Sequence, residues 1–186
     1  MFRRRFLLAT AAASTLWFSA CSQAVPTKIS VPQTQLEQGM QAHFPKRFPV
    51  AGLLQFEMQQ PHLQLLPERN QLQSAVKVQL SGPALKQSYQ GVMDVRFALR
   101  YQAKDRTVRA HRVEVLSLQL EGAAPAVADM MAAYGSRLAM QALEDFPLYT
   151  VPPEELELAD SLGLQPGAIT VTEQGLDVAI ETKPAP

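Results

Sequence analysis

Apart from Cys21 the chain of 186 residues has no cysteine, so no disulfide can form within it. Its core must hold by packing alone, even in an oxidising compartment. Long apolar runs are also missing. A helix that crosses the hydrocarbon layer needs about 20 apolar residues, and the nearest approach, Phe6 to Phe18, is too short. Charge is sparse at 18% of residues, and no stripe of Lys and Arg marks a nucleic-acid face. Arg96, Arg100, Arg106, Arg109 and Arg112 come closest; they fall in and around a turn between two strands, where a solvated sheet face accounts for them. The three histidines, His43, His62 and His111, lie far apart with no cysteine partner and lack metal-ligand spacing. No GxSxG elbow, P-loop or GxGxxG is present. No catalytic residue, metal or cofactor is therefore expected, and the chain reads as a non-enzyme.

What is present begins with a leader. Met1-Phe2-Arg3-Arg4-Arg5 is a positive block, Phe6 to Phe18 an uncharged apolar stretch, and Ser19-Ala20-Cys21 two small residues before a thiol. That order is the grammar of an export signal. Phe18-Ser19-Ala20-Cys21 resembles the lipobox of bacterial lipoproteins, although Phe18 stands where an aliphatic residue is usual. The resemblance implies diacylglycerol on the Cys21 thiol, with palmitate among the acyl chains. An ordinary signal peptide cut nearby would instead leave Cys21 as a stray thiol. The expected organisation is signal peptide 1–20, lipidated tether 21–29 and one domain over 30–183. One acyl chain binds a membrane marginally and two or more hold firmly, so a lipidated Cys21 would be the membrane contact. Arg3-Arg4-Arg5-Phe6-Leu7 suits a twin-arginine signal and the general secretory route equally. Ser22, not Asp, follows Cys21; by analogy with enterobacterial sorting this points to the outer membrane, facing the periplasm. Without Arg3, Arg4 and Arg5, the mature chain keeps 14 basic residues against 17 acidic ones.

The spacing predicts a first helix from about Pro32 to His43, with Ser30 able to cap it and Leu36, Met40 and Phe44 on one side. Pro45 and Pro49 stop it. Then the period changes to two. Leu54, Phe56 and Met58 alternate with polar residues, and Leu63 and Leu65 resume after Pro61. Leu72, Ser74, Val76, Val78 and Leu80 form a second set; Tyr89, Met93, Val95, Phe97, Leu99 and Tyr101 a third; Val108, Val113 and Val115 a fourth. The fourth slips phase at Val115-Leu116 before Leu118 and Leu120, which predicts a bulge. Short connections make these strands an antiparallel meander. Residues 88–102 would extend roughly 50 Å at about 3.3 Å per residue, so the sheet must curve around something. A helix from Pro125 to about Asp145, roughly 30 Å long, is the natural filler, with Val127, Met130, Met131, Tyr134 and Leu138 at helical spacing. Glu154 to Leu162 suits a short helix, and Ile169 to Ile180 either one bulged strand or a hairpin around Gly175. Glu144-Asp145, at a helix C-terminus, has no account beyond solvent exposure. The expected fold class is α+β: a long curved antiparallel β-meander wrapped around a helix of the C-terminal half, with an N-terminal helix.

Ile29-Ser30-Val31 at the first helix, Phe146-Pro147-Leu148-Tyr149 in a Pro-rich elbow, and Pro166-Gly167 entering the last strand resemble the uncharacterised bacterial lipoprotein family that includes YceB. Members are thought to resemble half of the tubular lipid-binding (TULIP, or BPI-like) architecture. The resemblance implies a concave groove for a lipid or other apolar molecule. Its lining would be Leu54, Phe56, Met58, Val76, Val78, Leu80, Met93, Val95, Phe97, Leu99, Val113 and Val115, facing Val127, Met130, Met131, Tyr134 and Leu138. Taken as residues alone, such a stripe fits plain core at least as well. Two functions follow: a tethered module that binds a lipid or apolar metabolite, or a non-enzymatic scaffold with a filled core that contacts another envelope component through a partner the sequence does not name. Anchoring itself is directly testable. Growth with an alkyne-tagged palmitate should label the wild-type chain and leave Cys21→Ser unlabelled; a wild type without label would remove the lipobox.

Overall fold

Alternation along the middle of the chain produces four consecutive strands: β3 (Leu54–Leu66), β4 (Gln71–Ser81), β5 (Tyr89–Gln102) and β6 (Thr107–Leu120). They pair antiparallel in chain order. This computed structural model describes residues 27–50 and 52–183; the leader and Cys21 lie outside the described residues. A short β2 (Lys46–Val50) and β7 (Pro147–Thr150) extend the meander, giving a six-stranded sheet in the order β2-β3-β4-β5-β6-β7. The fold is the curved α+β meander expected. Its helices are α1 (Gln33–Gln41), α2 (Pro125–Leu143) and α3 (Pro153–Ser161).

A second sheet joins the two ends of the chain. β1 (Lys28–Pro32), β9 (Gly175–Thr182) and β8 (Leu164–Val171) stand in the order β1-β9-β8, so the tail is a hairpin rather than one bulged strand. Ile29-Ser30-Val31 does not open the first helix. It is strand, with Ile29 and Val31 buried and Lys28 and Ser30 exposed. Ser30 donates its hydroxyl to Asp177 at 2.7 Å and Lys28 reaches the same carboxylate at 2.5 Å. These bonds, Lys28 first, hold the Asp177 carboxyl below its ordinary range. The physical reason for the difference is the partner, β9, which lies almost the whole chain away. β1 thus includes Lys28 and Ile29, which the sequence reading placed in the tether. α1 starts one residue later than expected, without a side-chain cap; the Gln33 N–H donates instead to the Gln174 carbonyl at 3.0 Å.

The inner sheet face is dry. Leu72, Val76, Leu80, Met93 and Val95 are fully buried, each contributing about 1.5–3 kcal/mol by leaving water. They form one cluster with Leu36 and Met40 of α1 and with Val31 and Val178 of the second sheet. Gly39 lets α1 lie flat against β7, since a Cβ there would come within 2.2 Å of the Leu148 carbonyl oxygen. Asn70, left-handed at φ 51, bridges the sheets. Its side chain donates to the Ile169 carbonyl at 2.9 Å and accepts from the Val171 N–H at 2.6 Å.

Two irregularities bend β6 against β5. Leu116 is the extra residue between the pairs Val95–Val115 and Asp94–Ser117, at the predicted phase slip. Further along, Arg112 and Val113 together oppose the single Phe97, between the pairs Arg96–Glu114 and Ala98–His111, and Arg112 takes φ 53. A bulge of this kind leaves backbone groups outside the ladder. Glu144, the residue after α2, supplies their partner. Its carboxylate accepts from the Arg112 N–H at 3.2 Å, the Val113 N–H at 3.1 Å and the His111 ring at 2.9 Å. The Glu144-Asp145 pair is therefore structural: Glu144 meets the bulge, and Asp145 bonds Arg100 across to β5. Partial burial pushes the Glu144 carboxyl up, but the Val113 amide, His111 and the Arg112 amide outweigh it and hold the group below its ordinary value.

Glu144→Ala should cost about 0.5–1.5 kcal/mol at neutral pH, the usual net worth of a hydrogen bond, since the Val113 bond is part-buried and the Arg112 bond exposed. That corresponds to roughly 2–4 °C of Tm per kcal/mol for a domain of this size. Because the native carboxyl titrates below 4.5, the wild-type advantage should be complete above that value and fade as pH falls through the native one. Urea midpoints of both proteins across pH check this; an advantage that survives acid would show that Glu144 acts otherwise.

Candidate functional site

The residues expected to line a groove divide into two groups. Those on the sheet belong to the core: Phe56, Met58, Val76, Val78, Leu80, Met93, Val95, Phe97 and Val113 are buried, while Leu54, Leu99 and Val115 pack partly buried against them. On this face α1 lies against β3, and β8 lies against β5. The residues on α2 behave differently. Met131 is buried, Val127, Met130 and Leu138 are half-buried, and Tyr134 is 59% exposed.

Small residues place this helix. Met131, Gly135, Ala139 and Leu143 face inward at intervals of four, the spacing of one helix face. At Gly135 an added Cβ would stand 2.5 Å from Leu118 Cδ2 of β6, so α2 sits low on that strand. Its other flank meets the opposite end of the sheet. Lys46, the first residue of β2, holds its ammonium 4.8 Å from the ring centroid of Phe146, just beyond α2; burial pushes the Lys46 pKa down. Val50, the last residue of β2, lies against the middle of α2. The sheet thus curls until its first strand reaches the helix packed on its fifth.

At that seam is a partly open cavity of about 300 Å³ lined by Val50, Met130, Met131, Tyr134, Arg137 and Leu138. Four of the five α2 residues predicted from the sequence line it; Val127 does not, and Val50 and Arg137 were not anticipated. Arg137 had a visible signal, since it falls seven residues after Met130 and three after Tyr134 on the same helical face. Val50 had none, because only the curl of the sheet carries it to α2. No carboxylate lines the cavity. The surface can hold an apolar group by burial and one anion by charge.

Other hollows are lined by both polar and apolar groups. A cleft of about 620 Å³ between the end of α1 and β3 is lined by Gln41, Phe44, Pro45, Glu57, Gln59, Pro61 and His62. There Arg47 and Gln59 hydrogen-bond Glu57 and bring its carboxyl below the ordinary range. His43 bonds the Gly39 carbonyl at 2.8 Å, and His111 bonds Glu144. Among the described residues no group of three or more His, Cys, Asp or Glu could hold a metal ion. No helix among them is long and apolar enough to cross a membrane.

A family model described as "Protein of unknown function (DUF1439)" matches residues 31–174. No curated protein matches the chain. Among solved structures the chain is similar to one titled "Crystal structure of lipopolysaccharide binding protein", at 10% identity and a TM-score of 0.34, over 85% of this chain and 41% of that one. The chain therefore spans about two-fifths of that protein's length. So loose a likeness bears on neither the fold nor the ligand.

The division between core and site residues has a direct consequence. Phe97→Ala should destabilise by about 3–5 kcal/mol, as for aromatic truncation in a core, whereas Tyr134→Ala should stay within about 0.5 kcal/mol. Denaturant midpoints of the two variants decide it; equal losses would mean that Tyr134 packs as core.

Proposed function

We propose that this chain, which belongs to the family described as "Protein of unknown function (DUF1439)", is a non-enzymatic envelope lipoprotein that holds the apolar part of a lipid or similar molecule between β2 and α2. One observation carries this: the seam cavity of about 300 Å³, apolar on every side but Arg137, with Tyr134 59% exposed beside it. Ligand sites are mostly apolar hollows with few polar groups, of about 300–1,000 Å³. Rimmed apolar patches on a protein surface mark binding sites. Methionine suits such a wall because its flexible thioether adapts to varied apolar shapes, and Met130 and Met131 form much of it.

The anchor in this proposal is lipid on Cys21, in keeping with the likeness to YceB-type lipoproteins, and the place is the periplasmic side of the cell envelope, at the outer membrane. Since β1 begins at Lys28, the chain from Cys21 could span at most about 25 Å at roughly 3.3–3.6 Å per residue. A domain held that close would meet lipid without leaving the membrane surface. A second function, a scaffold for another envelope component, is favoured by the filled interior, in which Met58, Val76, Met93 and Val95 are all fully buried.

Native mass spectrometry of the full chain purified from envelope membranes, with extraction to separate non-covalent lipid from the covalent anchor, tests the two. The wild type should carry one apolar ligand per chain. Met130→Lys or Leu138→Gln should lower its occupancy about tenfold or more with Tm shifted by no more than a few degrees. A clean apo mass with no uptake of added phospholipid or fatty acid would favour the scaffold, and crosslinking would then seek its partner.

A further inference from the structure

We infer that the seam cavity selects a single-chain amphiphile with an anionic head, whose chain enters among Val50, Met130 and Leu138 while Arg137 holds the head at the rim. This deepens the proposed function and rests on it. Volume is the first ground. At about 300 Å³ the cavity stands at the lower limit of ligand pockets, which suits one chain rather than the two of a diacyl phospholipid.

Charge is the second ground. Arg47, Arg96, Arg100 and Arg109 each pair with a carboxylate. Arg137, like Arg69, Arg106 and Arg112, has no such partner among the described residues; of these four it is the one that lines the seam cavity, and it is exposed. An arginine stem lies along apolar surface with its head toward water, and Arg137 both lines the cavity and reaches solvent. Its guanidinium is therefore free at the boundary between greasy wall and water. A planar fork of N–H donors matches carboxylate or phosphate oxygens two at a time. With no acid lining the cavity, nothing there competes with an incoming anion.

The position of the charge fits the same ligand. Arg137 follows Met130 by seven residues and Tyr134 by three, so the cation shares one helical face with part of the apolar wall. A wholly apolar guest would leave the guanidinium unused. A free inorganic anion would leave the cavity empty. Only a molecule carrying both features satisfies the whole lining.

The test is a set of native mass-spectrometric titrations of the full chain with dodecanoate, dodecyl phosphate, dodecanol and inorganic phosphate. The expected result is that one or both anionic amphiphiles bind about fivefold more tightly than dodecanol, the upper range for a partly solvated ion pair. Which of them leads tells a fatty acid from a lipid phosphate. Arg137→Gln should abolish the preference while dodecanol binding stays as in the wild type, and Arg137→Lys should keep part of it. Equal binding of dodecanoate, dodecyl phosphate and dodecanol by the wild type would overturn the inference and leave the apolar pocket standing. So would a preference that survives Arg137→Gln, or a variant that loses dodecanol equally. Tight binding of inorganic phosphate alone would make Arg137 an anion site without the pocket. Failure of every amphiphile would overturn both this inference and the function it rests on.

Discussion

Arg112 and Val113 stand together opposite one residue of the neighbouring strand, and their two amides converge on the carboxylate of Glu144. Strands of 14 residues with one apolar face have to bend in a chain of this size, and bending requires backbone to leave the ladder. Backbone polar groups left without partners cost free energy wherever water is excluded. One side chain settles that cost and, in doing so, fixes the end of α2 to the bend. Curvature and helix placement are thus a single event. The neighbouring Asp145, reaching Arg100, ties the same corner to β5.

From that corner the remaining geometry follows. α2 runs back along β6, low enough that Gly135 is needed beneath it, and its flank is left to whatever the sheet brings round. The curl brings β2. At one end Lys46 settles over the Phe146 ring; at the other Val50 lines the cavity together with Met130 and Leu138. The candidate site is therefore a product of curl: the first strand of the sheet comes round to the helix packed on its fifth, and the cavity is lined by what the helix exposes there.

Much of this was legible in the residues, for identifiable reasons. Long period-two runs such as Leu72–Leu80 and Met93–Tyr101 carry their own register, and the phase slip at Val115-Leu116 marked its bulge because a single inserted residue swaps faces. The stripe Met130, Tyr134, Leu138 was legible because helical spacing is local. β1, β2 and β7 were not. They run 5, 5 and 4 residues, and each contains proline; the partner of β1 lies at the other end of the chain. Core and groove could not be told apart on the sheet face, since alternation reports which side is apolar and not what covers it. Glu144 looked misplaced for the same reason, because its partners lie some thirty residues earlier in the chain.

Asn70 bears on a different matter, the behaviour of this protein in a crowd. A strand at the edge of a sheet presents open donors and acceptors to any other chain, and β8 is such an edge. The Asn70 amide occupies the Ile169 carbonyl and the Val171 N–H, a donor and an acceptor facing outward, as a neighbouring strand would. Intermolecular pairing along β8 would first have to displace it. In a chain that has no disulfide to lock its fold, one turn residue thus occupies part of an edge that would otherwise be open to pairing with another chain.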